Sequence, residues 1–446
     1  MIDDTDGLSR RSLLTVCSAS LASIAGCSAL PFGSDDDERS YEQGPLRTLA
    51  EQDLPEPPTG VTVTVPEGAL DRHRRRAREL LEEVPEEPAV PNGLIAARLA
   101  RNRANVAEDL ERGSTAEPFQ LPLDRLGHWR YLRGEAAEVR GAYRAATSDV
   151  SEATVDERRG EIRTDLYDFL SEWEYRGEDP ARALAVHYRI ERLIDQCRNY
   201  LDLWPKFPER PADDVERVGR IAGDVETARA ALEDAVAMRD RYVNGLDDPH
   251  SYRRAFTAVA REVHRTTDFT IHRKGLRQYL DAIGRPEWPH DRNLDGTVAE
   301  TLYRRVQNLA HYRRHREARQ QERYATTVVD GGISLAAVVA LEDVVAAIRD
   351  GDHGQVESSS EVQTLAGEAQ RALDGALTTE PQTVSLQVAM PAFDLLQDVT
   401  HHLAEHRVGE HEIHRAAGTY ASARYFARSV PPVVRYLDES LSEASR

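Results

Sequence analysis

The sequence predicts an all-α protein of about ten to twelve helices in one or two helical bundles, with a minor extended segment near residues 61–65. Three observations predict it. After Glu67 the apolar residues recur three and four apart through most of the chain, the spacing that gathers them on one face of a helix. Alternation of period two, the mark of a half-buried strand, stands out only where Val61, Val63 and Val65 interleave with threonines. Aromatic residues are 6% of the chain, so most of the core must come from Ala, Val and Leu.

The first 26 residues carry an address. Arg10 and Arg11 precede a mildly apolar run, Leu13 to Ala25, diluted by Thr15, Ser18, Ser20 and Ser23. A membrane-spanning helix needs about 20 predominantly apolar residues, so this run is too short and too polar. A basic pair, a short apolar region and small residues at its end form a signal-peptide layout, and paired arginines point to the twin-arginine route. Ser9-Arg10-Arg11-Ser12-Leu13-Leu14 resembles the twin-arginine export signal, and Ile24-Ala25-Gly26-Cys27 resembles a lipobox. The resemblance implies export, cleavage before Cys27, a lipid on its sulfur, and a protein held on the outer face of the cytoplasmic membrane. An ordinary amphipathic N-terminal helix is the alternative. Residues 27–60 then read as a tether, with a like-charge run at Asp35-Asp36-Asp37-Glu38 and stiffening prolines at 55, 57 and 58.

The charge balance is acidic, 77 Asp and Glu against 57 Lys and Arg, net −20. Only Lys206 and Lys274 are lysines; the other 55 cations are arginine. This composition resembles that of proteins from extreme halophiles of the haloarchaeal type, where surface carboxylates hold water and salt screens their repulsion. It also excludes strong overall affinity for nucleic acid. Of three cysteines, Cys17 belongs to the signal and Cys27 to the lipobox, which leaves Cys197 and no intramolecular disulfide.

Helical signals continue to the end of the chain. Asp179-Pro180 is a start signal, an N-cap acid followed by Pro in the first turn. Behind it His187, Ile190, Ile194, Cys197 and Leu201 share a face, which reads His187 and Cys197 as core residues. Val215, Val218, Ala222, Val225, Leu232 and Val236 form a near-heptad stripe ending at Asn244-Gly245, and Val362, Leu365, Ala369, Leu373 and Ala376 form another. Breaks are expected at Pro118–Pro122, Gly177–Pro180, Asn244–Pro249, Pro286–Gly296, Asp330–Gly332, Asp350–Gly354 and Glu380-Pro381. Two helical domains, residues 61–246 and 247–446, are the economical division. Ile333–Ile348 is strongly apolar but contains Glu342 and Asp343, and reads as a buried core helix rather than a span.

Candidate chemistry gathers in three places. His402, His406, Glu410 and His414 stand four apart, and an unbroken helix would align them along one slowly drifting face for a divalent metal. His402-x-x-Glu405-His406 also matches the H-x-x-E-H pattern of inverzincin peptidases, which would make Glu405 the base, although only 40 residues follow His406 to supply the family's third ligand. Asp291, Asn293 and Asp295, followed by Gly296, match the first half of an EF-hand calcium loop, but Leu302 occupies the position of the closing acid and Glu300 comes two residues early. The segment 251–325 holds 16 basic residues and 9 acids. Within it Arg313, Arg314 and Arg316 are expected to contact acidic groups, in the protein or on an acidic protein partner. A smaller arginine cluster lies at Arg72, Arg74, Arg75, Arg76 and Arg78. No G-x-S-x-G, P-loop or G-x-G-x-x-G is present.

These features favour a non-catalytic, lipid-anchored helical protein serving interaction or scaffolding, over a metal-binding protein or metal-dependent hydrolase built on His401–His414. The anchor is testable directly. Cys27→Ser is expected to leave an uncleaved precursor or to release the protein to the medium, as membrane fractionation would show. A mature-sized variant still in the membrane would overturn the lipobox assignment.

Overall fold

The computed structural model describes residues 41–51, 54–55, 63–113, 122–148, 150–202, 206–267, 296–310, 314–353, 356–405 and 409–446. The helices in chain order are α1 (Gln43–Ala50), α2 (Ala69–Glu82), α3 (Gly93–Arg112), α4 (Pro122–Thr147), α5 (Glu152–Glu172), α6 (Pro180–Asp202) and α7 (Val215–Val243). They continue with α8 (Arg253–Thr267), α9 (Val298–Ala310), α10 (Arg314–Gln320), α11 (Tyr324–Arg349), α12 (Ser359–Leu377), α13 (Gln382–Glu405) and α14 (Glu410–Ala444). The all-α expectation holds. The short helices α1 and α10 give no periodic stripe, which is why the sequence suggests fewer elements.

In the first half α4 and α7 make the most extensive pairing, with α2 and α3 against α4, and α5 and α6 against α7. In the second half α11 runs through the middle, touched by α8, α9, α10, α13 and α14, while α12 and α13 pack on α14. Residues 40–446 form one compact unit. The division expected near residue 247 falls in the connection from α7 to α8, but α6 serves both sides of it. Its Ile190, Ile194 and Cys197 pack with α5 and α7, while Ala181, Leu184 and Tyr188 join the large core around α11.

Among the described residues α11 is the one helix long and apolar enough to cross a membrane. Nineteen of its 26 residues are buried within the protein, so it is a core helix, as Glu342 and Asp343 suggest. Burial sets a problem at its start, where the first N–H groups have no intrahelical partner. Glu191 of α6 answers it. Its fully buried carboxylate accepts from the N–H of Ala325 (3.2 Å) and Thr326 (2.5 Å), and from the Tyr175 hydroxyl (2.6 Å). Burial raises its pKa above the ordinary carboxylate range, against the pull of those donors. From the same face of α6, Asp195 pairs with Arg323 and Asp330 accepts from the Tyr188 hydroxyl (3.2 Å).

One expectation fails here. The chain does not break at Asp330–Gly332; α11 passes straight through. Gly331 and Gly332 serve close packing, since a Cβ at Gly332 would lie 2.8 Å from Leu437 Cδ1 and one at Gly331 would strike Val263. Residues 63–66 take no regular secondary structure, the form of a connection rather than an edge strand, and Val63 is buried among the helices α5 to α7. The one small sheet among the described residues joins β1 (Arg176–Gly177) antiparallel to β2 (His250–Ser251), beside two of the expected breaks. Beside it His187 is core, as expected. Its Nδ1 accepts from Trp173 Nε1–H (3.2 Å), its Nε2–H donates to the Arg176 carbonyl (2.9 Å), and burial lowers its pKa to about 4. Cys197 is likewise buried, its thiol pushed up to about 12 by desolvation.

Removing the Glu191 carboxylate leaves buried donors unanswered. Glu191→Ala is therefore expected to cost about 3 kcal/mol of stability. Glu191→Gln should cost distinctly less, because its amide oxygen still accepts. Chemical denaturation of both variants would check the order; equal losses would mean that the carboxylate's acceptor role is not what matters.

Candidate anion-binding cleft

The α4–α7 seam is unusually close because small residues face one another. A Cβ on Gly141 would lie 2.5 Å from Ala222 Cβ, and one on Gly219 would lie 2.7 Å from the Glu138 carbonyl oxygen. Gly134 and Gly223 face each other one to two turns further along the same seam. With the two backbones this near, α2 rides on α4 and α5 rides on α7. Between α2 and α5 lies a cleft of about 700 Å³.

Its lining is basic in an acidic protein. The helix α2 contributes Arg72, Arg75 and Arg76, and α4 contributes Arg133, Arg140 and Arg144. Arg158 comes from α5 and Arg229 from α7. Against these eight arginines stand four glutamates, Glu79, Glu161, Glu226 and Glu233. The floor is apolar, with Val155, Ile162, Val218, Ala222 and Val225.

A buried network fixes one wall. Arg133, only 3% exposed, donates to Glu233 (2.6 and 3.3 Å) and to Glu226 (2.8 Å). Its third neighbour is His73 Nδ1 (3.3 Å), which must accept, so His73 carries its proton on Nε2 and donates to Asp234 (2.8 Å). The other oxygen of Asp234 accepts from Arg130 (2.8 Å). Burial alone would lower Arg133 and raise Glu226. Their pairing outweighs burial in both cases, so Arg133 titrates above its ordinary value and Glu226 below it. Arg76 joins through Glu226 (3.2 Å), Arg140 and Arg144 hold Glu83 (2.7 and 3.0 Å), and Arg229 pairs with Glu161 and Asp165. Arg75 and Arg158 are exposed, and among the described residues neither has a carboxylate partner.

The residues singled out from sequence fall elsewhere. Arg10, Arg11, Cys27, Asp291, Asn293, Asp295, Arg313 and His406 lie outside the described residues. Glu405 ends α13 and Arg314 opens α10; Arg316 is half-buried and already engaged within the protein. The unbroken helix expected to align His402, His406, Glu410 and His414 is not formed. The helix α13 ends at Glu405 and α14 starts at Glu410, where the Gly409 N–H donates to Glu412 (3.2 Å) and turns the chain. His414, 5% exposed, donates from Nδ1 to the Gly296 carbonyl (2.8 Å). Glu300, the acid two places early, accepts from the Gly296 N–H (2.7 Å) and pairs with Arg304 (2.7 Å), so it secures the start of α9. Among the described residues no three His, Cys, Asp or Glu side chains form a group able to hold a metal.

Sequence reasoning reached the cleft only through the Arg72–Arg78 cluster. It missed His73, Arg130, Arg133, Glu226, Glu233 and Asp234. A signal existed: Arg130 and Arg133 interrupt the apolar face of α4, and Glu226 and Glu233 stand seven apart on α7.

The chain matches two family models, each described as a domain of unknown function: DUF8262 over residues 68–248 and DUF8264 over residues 281–439. Every residue lining the cleft, from Arg72 to Glu233, falls within the first match. No curated protein and no solved structure matches the chain.

Because Glu226 titrates below its ordinary value of 4.5, its ion pairs stabilise the fold fully above that value. The contribution disappears as pH falls through the lower folded value. Glu226→Gln should be less stable than wild type at neutral pH and should show a shallower loss of thermal midpoint below about pH 4.5. Parallel acid limbs in the two proteins would contradict this.

Proposed function

We propose that this is a membrane-tethered binding protein, exported by the twin-arginine route, held outside the membrane by a lipid on Cys27, and built to take an anionic ligand in the cleft between α2 and α5. The observation that carries the reading is the unanswered positive charge of that cleft, with Arg75 and Arg158 left over after the other arginines find carboxylates. Guanidinium groups offer forked donors that match carboxylate and phosphate oxygens. The network around Arg133 holds the wall in place before any ligand arrives, which lowers the ordering cost of binding. The surrounding charge of −20 would repel an approaching anion at low salt, so recognition has to come from short-range pairing rather than long-range steering.

The test uses citrate and inorganic phosphate as probes, with calorimetry and thermal melts at moderate and molar salt. The variant Arg75→Gln/Arg158→Gln is expected to weaken citrate binding about tenfold or more, a loss consistent with hydrogen bonds to charged groups. Its melting temperature should match wild type, because neither arginine supports the fold by an ion pair. Failure of both anions to bind the wild-type protein would reject the reading.

A further inference from the structure

The floor of the cleft narrows the ligand. We infer that the ligand is an amphipathic organic anion, with a carboxylate or phosphate head and an alkyl or aryl body; this rests on the anion-binding reading above.

The head has a defined place. Arg75 adjoins Arg76, which pairs with Glu226 of α7. Arg158 lies three residues before Glu161, which pairs with Arg229, one turn beyond Glu226 on the same helix. The two uncommitted arginines line the same cleft from opposite walls, Arg75 from α2 and Arg158 from α5. An anionic head between them would gain charge-assisted hydrogen bonds from both α2 and α5 without displacing an existing ion pair.

From that point the lining changes character. Running back along α7, Val225, Ala222 and Val218 line the floor, and Val155 flanks them from α5. Ala222 and Val155 are half-exposed, so apolar surface is left in contact with water between charged walls. Glu226 to Val218 is eight helical residues, or about 12 Å of floor. An inorganic anion would satisfy the head site and leave this strip wet. A body of similar length would cover it, and a cleft of about 700 Å³ lies within the range of small-molecule sites. At the far end Ser148 and Thr154 add hydroxyls to the lining, which tolerate a body ending in a polar group.

The test is a series of straight-chain alkyl phosphates, from ethyl to octyl, titrated below their aggregation limits into the full-length protein, with inorganic phosphate as the reference. Affinity is expected to rise roughly threefold to fourfold for each added methylene, the value of burying one CH₂, until the chain reaches the end of the floor. Val155→Ser should flatten that rise while leaving phosphate affinity unchanged. Arg75→Gln/Arg158→Gln should weaken every member of the series by a similar factor. Melting curves identify any variant that fails to fold, and the wild-type series stands without them. Equal affinity for phosphate and octyl phosphate would overturn the amphipathic assignment and leave the anion site intact. A rise that persists undiminished in Val155→Ser would place the body elsewhere and overturn it as well. Absence of binding by every probe would instead reject the anion site on which it rests.

Discussion

The contact between Glu191 and the start of α11 is the constraint on which the arrangement of the chain depends. A helix with nineteen of 26 residues buried can bury its sides cheaply, because Ala, Val and Leu ask only for neighbours. It cannot bury its first turn cheaply, because the opening N–H groups are orphans wherever water is excluded. Glu191 meets two of them, and the Tyr175 hydroxyl closes the same carboxylate. The carboxylate must come from another helix, so this local need fixes α6 against α11. Because the opposite face of α6 belongs to the α5–α7 core, the same need locks the first half of the chain to the second.

Once α6 is placed, α7 and α4 follow through contacts of a different kind. Their seam carries glycine and alanine where most helix pairs carry leucine, so the backbones themselves are the contact surface. Such an approach leaves little side-chain volume to fill the valley above it. The helices α2 and α5, each carried by a different partner, flank that valley without closing it. Its charges explain why the walls stay in register: Arg133 ties α4 to Glu226 and Glu233 of α7, and Asp234 ties α7 to His73 of α2 and Arg130 of α4. The cleft is a by-product of close packing below and ion pairing above.

How much of this the sequence disclosed depended on whether the cause was local. The start of α6 at Asp179-Pro180 was legible because its signal is local: the Asp179 carboxylate accepts from the Arg182 N–H at 2.7 Å. The stripe at Val362, Leu365, Ala369, Leu373 and Ala376 was legible for the same reason; all but the partly buried Leu365 are buried. Gly331-Gly332 misled because glycine marks either a turn or a close neighbour, and the neighbours, Val263 and Leu437, lie some 70 and 100 residues away. The histidines from 402 to 414 misled for the converse reason. Their spacing has meaning only on a continuous helix, and Gly409 with Glu412 ends that continuity. The cleft was the hardest to foresee. Its arginines come from four helices spread over some 160 residues, and at each position a charge on a helix face looks the same whether it meets solvent, a carboxylate or a ligand.

The charge of the whole chain bears on what such a cleft can do. A net −20 body sets up a repulsive field for anions that reaches as far as the ionic strength allows, about 10 Å at 0.1 M and about 3 Å at 1 M. In dilute salt that field would oppose capture at the mouth of the cleft while the arginines favour it inside. In concentrated salt the field collapses first, because it acts over distance. Contacts at hydrogen-bond range survive better, especially at the partly buried end where Arg133 already sits. An arginine-lined, apolar-floored cleft on an acidic surface is therefore better matched to a salty medium than to a dilute one. The apolar floor strengthens the same argument, since burial of hydrocarbon does not weaken as charges are screened. The acidic surplus, whose self-repulsion salt screens, and the architecture of the cleft thus favour the same conditions, although one is a property of the surface and the other of four packed helices.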